Sequence, residues 1–289
     1  MPSLIDFRRR IRSVKNTQQI TKAMKMVSAA KLRRAQERVI AARPYAAQMR
    51  EMLANLAQAA QSDERASESA WLAKREPKNI DLVLITSDKG LAGAFNSNLI
   101  KASERFAVEH PGAKISLTLV GRKGRDFYKR RSATITGEYV NILAKPAYAD
   151  AAAVAKEIIR RYREGETDAV YVINNDFKSV MTQTLSVAQL LPVDLAPSAE
   201  PAAVKDYIYE QSPLDMLERL MPRYVEVAIF RAMLETGAAE HAARMTAMDK
   251  ASSNAKDVIE ALTLYMNRVR QAAITKEIIE VVSGAAAAS

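Results

Sequence analysis

Residues 4–60 read LIDFRRRIRSVKNTQQITKAMKMVSAAKLRRAQERVIAARPYAAQMREMLANLAQAA, a stretch without glycine in which Pro44 alone would break a helix. Apolar residues recur in steps alternating between three and four: Leu4, Phe7, Ile11 and Val14, then Leu32, Ala35, Val39, Ala42, Ala46, Met49, Leu53 and Leu56. That spacing predicts a helix of nearly sixty residues carrying a coiled-coil seam, with a reach of roughly 85 Å at the rise of an α-helix. Between the two runs the same register carries Gln18, Thr21, Lys25 and Ser28, whereas Ile20, Met24 and Val27 form an apolar stripe rotated around the helix. The seam is expected to shift there or to face a second partner. Pro44 lacks a backbone donor, so it is expected to kink the helix or to be absorbed by tertiary packing.

A second helical pattern starts after Ser212-Pro213 and runs to about Val282, with Pro222 and Gly237 as its breakers and an expected reach of roughly 100 Å. Its seam reads Leu217, Leu220, Tyr224, Val227, Leu234, Ala238, His241, Met245, Met248, Ser252, Ala255, Ile259, Leu262, Met266, Val269 and Ala273, with Arg231 as the visible exception. Each stripe needs a partner, and the economical partner is the other stripe. Between the helices the composition changes. Ile80–Thr86 (IDLVLIT), Lys114–Val120 (KISLTLV), Ala133–Val140 and Ala169–Asn174 (AVYVIN) read as strands, and Met181–Leu191 (MTQTLSVAQLL) as a further one. Helical stretches at Ala94–Glu109, Arg122–Arg131 and Ala147–Arg163 separate them, which argues for an open, largely parallel α/β sheet.

The expected fold class is therefore mixed α+β: a long antiparallel two-helix coiled coil made by the N- and C-terminal segments, with a central open α/β, Rossmann-like domain. The boundaries expected are 1–62 for the N-terminal helix, 78–195 for the central domain and 212–285 for the C-terminal helix, the two helices forming one stalk. The proline-rich stretch from Pro192 to Pro213 reads as a linker or irregular surface segment. Both helices attach to the central domain, so they must leave it antiparallel.

Composition narrows the function. Cysteine is absent and only His110 and His241 supply imidazole, which excludes disulfides, thiolate metal sites and a cysteine nucleophile. Charges interrupt every apolar stretch before the 18 or so residues that a membrane span requires, and no tripartite secretory start is present, so a soluble, unexported chain is expected. Net charge is +10, and residues 1–50 alone hold 13 basic and 2 acidic side chains, a local balance of +11. Such a segment suits nucleic acid, an anionic membrane surface or an acidic protein face, and the charge by itself does not choose among them. Arg8, Arg9, Arg10, Arg12, Lys15, Lys22, Lys25, Lys31, Arg33 and Arg34 are available for phosphates, but Phe7 and Tyr45 are the only rings in those fifty residues. Base stacking is accordingly disfavoured. A mitochondrial presequence would also be Arg-rich, but the seam begins at Leu4 and makes the segment integral to the stalk.

The loop Thr86-Ser87-Asp88-Lys89-Gly90-Leu91-Ala92-Gly93 follows the first strand, where a doubly wound fold places a phosphate site. Neither a dinucleotide fingerprint nor a P-loop pattern is present, so a tight turn with Lys89 exposed is the preferred reading. His110 lies in a turn, His241 falls on a helix seam, and the carboxylates show no metal-type cluster.

Four segments carry a family resemblance. IRSVKNTQQITKAMKMVSAAKLRRAQ (Ile11–Gln36), TSDKGLAGAFNSNL (Thr86–Leu99), EHAARMTAMDKASSNA (Glu240–Ala255) and ITKEIIEVVSGAAA (Ile274–Ala287) resemble the γ subunits of F-type ATP synthases, of the bacterial type. The resemblance implies a non-catalytic central rotor shaft that couples proton-driven rotation of a membrane c ring to ATP synthesis or hydrolysis in β subunits. It implies α, β and ε subunits and the c ring as partners, no cofactor, metal or nucleic acid, and a peripheral place on the cytoplasmic face of the bacterial inner membrane. It assigns shaft and coupling contacts to Met24, Lys25, Arg244, Gln271, Thr275 and Glu277, a contact near a β subunit to Lys89, and foot contacts with ε and the c ring to Tyr207, Tyr209 and Glu210. Lys89 stands where the family often has arginine, which keeps charge but loses bidentate geometry. The competing readings are a basic coiled-coil nucleic-acid-binding protein and a metabolic α/β enzyme with helical extensions.

Overall fold

The structure is a computed structural model that describes residues 4–60, 63, 69, 71, 75–193 and 210–288, with side chains described up to 283. Helix α1 spans Leu4–Ala60 and α5 spans Pro213–Ala288. Between them lie β1 (Asn79–Ile85), α2 (Phe95–Glu109), β2 (Lys114–Val120), α3 (Arg122–Tyr128), β3 (Thr134–Tyr139), α4 (Tyr148–Arg163), β4 (Ala169–Phe177) and β5 (Gln183–Leu191). The chain divides into two compact units. One joins residues 1–29 to residues 244–289, and the other is Ala30–Ala243.

In the first unit α1 and α5 pair antiparallel. The Phe7 ring lies 5.1 Å from that of Tyr265, the Gln18 amide donates to the Ser252 carbonyl at 3.3 Å, and Lys25 Nζ meets Asp249 Oδ1 at 2.5 Å. Met248, Ser252, Ala255, Ile259, Leu262, Met266 and Val269 are buried or half-buried, at the spacing a heptad seam requires. On α1 the seam does not shift as one expectation had it. Thr21 and Ser28 are buried in the original register, while Ile20 and Val27 stay 60% and 56% exposed. The reason is local chemistry: the Thr21 and Ser252 hydroxyls bond each other at 2.7 Å, and Thr21 also donates to the Gln18 carbonyl at 3.0 Å. Short, mutually satisfied hydroxyls are buried at little cost, so the apolar stripe is left facing outward. Past the turn of α5 opposite Leu4, every residue from Ile274 to Ser283 is exposed.

The second unit is built on a five-stranded sheet of order β3-β2-β1-β4-β5. The first four strands are parallel, and β5 returns antiparallel to β4, from Val170↔Leu191 to Phe177↔Gln183. Central β1 is buried on both faces, as a parallel strand covered on each side must be. Alternation sorts its side chains. Asp81, Val83 and Ile85 share the face covered by α4 and by the shaft helices, where Val154, Ile158 and Tyr162 join Met49, Leu53 and Leu56 of α1 and Leu217, Met221, Val225, Ile229 and Met233 of α5. Ile80, Leu82 and Leu84 face the opposite side, where Gly124 of α3 approaches Leu84 and Ser103 of α2 bonds the Tyr128 hydroxyl at 2.7 Å.

Two expectations change in detail. The final strand begins at Gln183, because Met181, 84% exposed, belongs to the turn before it. From Leu214 to Met233 the seam Leu217-Leu220-Tyr224-Val227 does not exhaust the covered positions of α5: Leu220 and Tyr224 are only half-buried, while Met221, Val225 and Ile229, off the seam, are fully buried. The helix packs on the sheet there, and residues 232–240 are buried all round. Helix α1 continues through Pro44 without interruption, so the proline is accommodated in an exposed turn.

Candidate functional site: the shaft surface and its junction with the sheet

The loop after β1 lies at the carboxyl end of the strands, beside the switch point between β1 and β4 where doubly wound sheets take ligands. Its Asp88 engages backbone donors of the segments that follow β2 and β3. Asp88 Oδ1 accepts the Arg122 N–H at 3.0 Å and the Asn141 N–H at 2.9 Å, and its other oxygen accepts from Leu143 N at 3.4 Å. An internal carboxylate thus holds the donors a phosphate would need. Thr86 Oγ1 accepts the Gly124 N–H at 2.8 Å, and Gly121 sits at φ 102° with Thr86 so close that a Cβ would lie 2.1 Å from its carbonyl oxygen. The chain crosses itself too tightly at that point for any side chain. Lys89 is exposed at the loop tip.

The residues assigned by the resemblance divide into groups. Met24 is half-buried beside the polar part of the seam, and the neighbouring Lys25 pairs with Asp249 across it. Arg244 is 8% exposed on α5. Gln271, Thr275 and Glu277 are exposed further along α5, beyond the turn opposite the start of α1, and Thr275 Oγ1 donates only to its own helix at the Gln271 carbonyl, 3.0 Å. They are not brought to Met24. Glu210 is exposed three residues before α5, whereas Tyr207 and Tyr209 lie outside the described residues. Arg8, Arg9, Arg10, Arg12, Lys15 and Lys22 are all exposed, so this stretch of α1 presents a basic outer surface. His110 caps α2 with its ring on Phe106 and Nδ1 2.8 Å from the Phe106 carbonyl, a structural arrangement.

Two polar clusters escaped the sequence reading. On the sheet face, Arg161 Nη2 lies 2.5 Å from Asp81 Oδ2, both side chains being almost wholly buried, and Thr118 bridges them. Burial pushes the Asp81 carboxyl above its ordinary range, and the Arg161 guanidinium opposes that rise. At the end of β4, Arg43 of α1 donates through Nε and Nη2 to the Glu235 carboxylate of α5, at 3.0 and 3.1 Å. The same Nη2 donates to the Phe177 carbonyl at 2.6 Å, while Glu235 Oε2 accepts the Phe177 N–H at 2.9 Å. The hydrogen bond to Glu235 raises the Arg43 pKa, so the guanidinium stays charged. Arg43, Asp176, Phe177, Lys178, Arg231 and Glu235 line an open notch of about 370 Å³. The one available signal was Arg231, the charged interruption of the α5 seam, which marks where that helix meets the notch. Among the described residues no helix is long and apolar enough to cross a membrane, and no three or more acidic or imidazole groups are placed to hold a metal.

Comparison with known proteins covers the whole chain. A family model described as ATP synthase matches residues 3–288. An ATP synthase gamma chain from Solibacter usitatus is 60% identical over 288 residues, spanning 100% of both chains. One from Geobacter metallireducens is 51% identical over 287 residues, covering 99% of this chain and 98% of the relative. Among solved structures, the Tetrahymena thermophila mitochondrial ATP synthase central stalk and c ring contains a chain that matches with TM-score 0.62 and 27% identity, over 81% of this chain and 99% of that one. A chain of the Euglena gracilis mitochondrial ATP synthase in rotational state 3 shares the fold with TM-score 0.69 and 20% identity, over 98% of this chain and 94% of that one.

Proposed function

This chain belongs to the ATP synthase gamma-chain family, and we propose that it is the central rotor shaft of an F-type ATP synthase, a non-catalytic subunit that couples rotation of a membrane c ring to ATP synthesis or hydrolysis. The observation that carries the reading is the antiparallel pairing of α1 with α5, held by a polar seam from Gln18 to Ser28 and presenting a basic outer face. A rod of this kind transmits rotation without chemistry of its own. Catalysis then resides in β subunits, whose acidic loops would meet the exposed arginines and lysines of α1. The α subunits complete the surrounding hexamer, and ε and the c ring meet the foot around Tyr207, Tyr209 and Glu210. The chain reaches the cytoplasmic face of a bacterial inner membrane only through these partners.

Met24 and Lys25 are the coupling contacts best supported by position, since Met24 belongs to the stripe of Ile20, Met24 and Val27 and Lys25 beside it pairs with Asp249. Arg244 joins them by position on α5, and Gln271, Thr275 and Glu277 would act further along the shaft, against the surrounding hexamer. Lys89 would reach a β subunit from the loop after β1. Replacing Met24 by Lys places a second ammonium beside Lys25, where it repels its neighbour and seeks a carboxylate on a surrounding subunit, favouring some rotary positions over others. In complexes reassembled with α and β subunits and the membrane sector, ATP-driven proton pumping should fall more than ATP hydrolysis. Equal loss of both would count against a coupling role at this position.

A further inference from the structure

Strand β4 outruns its parallel neighbour. Its pairing with β1 ends at Leu84↔Ile173, yet it continues beside β5 to Phe177, so from Asn174 onward no strand among the described residues lies on the β1 side. An open edge leaves backbone groups without ladder partners. At Phe177 the Arg43–Glu235 pair replaces the missing strand: the carboxylate takes the Phe177 N–H and the guanidinium gives to the Phe177 carbonyl. One ion pair therefore ties three elements, α1, α5 and the sheet, by four hydrogen bonds. Its partners come from positions 192 and 134 residues apart in the chain. Glu235 is only 4% exposed, and it lies inside the stretch of α5 that is buried all round.

The apolar contacts around this point, Met233, Ile229 and Val225 among them, resist separation of the layers but have no directional preference. A bidentate guanidinium–carboxylate pair does have one, because its planar fork fixes relative rotation as well as distance. We propose that the Arg43–Glu235–Phe177 junction is the rivet through which torque passes between the two shaft helices and the sheet domain, with Arg43 and Glu235 as positioning residues for coupling. The proposal rests on the rotor reading and adds the place where twist is handed over. Without the rivet the helices would still pack on the sheet, but they would turn slightly against it before the load moved, and part of each step would be lost as elastic slip.

Two conservative variants separate this from a merely structural role. Arg43→Lys keeps the charge and loses the fork, and Glu235→Gln keeps an acceptor for the Phe177 N–H and loses the ion pair. Arg231→Ala, in the same notch but outside the tie, is the control. Each is assembled into the complete complex in vesicles and measured for ATP hydrolysis, protons pumped per ATP, and angular spread of a bead fixed to the sheet domain. The expected result for Arg43→Lys is near-normal hydrolysis, a fall of about two-fold or more in protons pumped per ATP, and a wider angular spread. Arg231→Ala should match the wild type. Unchanged pumping and spread in Arg43→Lys would overturn the proposal, and so would parallel loss of hydrolysis and pumping. Should Glu235→Gln fail to assemble, Arg43→Lys decides alone. A wild-type complex that neither rotates nor pumps would instead overturn the rotor reading itself.

Discussion

Arg161 and Asp81 illustrate how a single buried charge depends on its partner. Arg161 is 5% exposed and donates to Asp81, to Thr118 and to the Thr136 carbonyl. Replacing it by Met removes the counter-charge and leaves the Asp81 carboxylate inside the sheet layer, at a cost of about 3 kcal/mol near neutral pH. The sign of the pH effect follows from burial. With Arg161 gone, the folded-state pKa of Asp81 rises further above its ordinary value of 3.8, so the fold favours the protonated form. The variant should regain stability as pH is lowered through that raised pKa and lose it again on return to neutrality. Urea midpoints measured across this range check the prediction, and adding Asp81→Leu should restore most of the loss at neutral pH. The sequence offered no route to this pair. Asp81 stands in IDLVLIT as one polar residue in a strand, and its partner lies 80 residues away on α4.

At the scale of elements, the long-range periodicity was legible and the exceptions to it were not. The heptad steps place Phe7, Leu32, Val39, Met49, Leu53 and Leu56 on the buried side of α1, and each is buried. Thr21 and Ser28 broke the apolar rule, so the outward stripe of Ile20, Met24 and Val27 competed with them for the seam. Hydropathy alone cannot reveal that Ser252, on a helix more than two hundred residues later, supplies the matching hydroxyl. On α5 the seam holds from Met248 onward, but between Leu214 and Met233 a second buried face appears because the helix also packs on the sheet. A two-partner environment erases the single stripe that periodicity detects. The polar seam makes a prediction of its own. Ser252→Leu adds volume where two short hydroxyls meet at 2.7 Å, and such overpacking should destabilise the helix pair by about 1–3 kcal/mol. Thermal unfolding followed by far-ultraviolet circular dichroism should show a lower midpoint, with no comparable effect from Ser253→Leu on the exposed side.

The whole chain is organised so that its two ends complete one unit. Residues 1–29 and 244–289 belong together in one compact unit. Deleting everything from Glu240 therefore strips α1 of the helix that covers Phe7, Thr21 and Ser28, and uncovers a surface that needs burial. Deleting only the residues after Gly284 removes AAAAS and leaves the paired region untouched. In reassembled complexes the longer truncation should abolish coupled proton pumping, while the shorter one should preserve assembly and most ATP hydrolysis. Indistinguishable behaviour of the two would contradict the division of the chain described above. The overall plan, a central, largely parallel sheet between two terminal helices in chain order, was readable because composition changes near Lys78 and again near Leu195. The Arg43–Glu235 tie was hidden, since each residue taken alone looks like ordinary solvated helix face.

The exposed end of α5 has a kinetic consequence. From Ile274 to Ser283 the helix has no buried side, and among the described residues its support there reduces to local interactions such as the Lys276–Glu280 pair at 3.5 Å. An unsupported helical segment shorter than about 15 residues is marginal in water. In the free chain, backbone amides should then exchange with deuterium as a gradient along one continuous helix, fastest beyond Ile274 and slowest at 232–240, where every residue is buried. Surrounding this end with partner subunits should slow its amides while leaving those at 232–240 as they were, so the exchange profile would report how far along the helix an enclosing sleeve reaches.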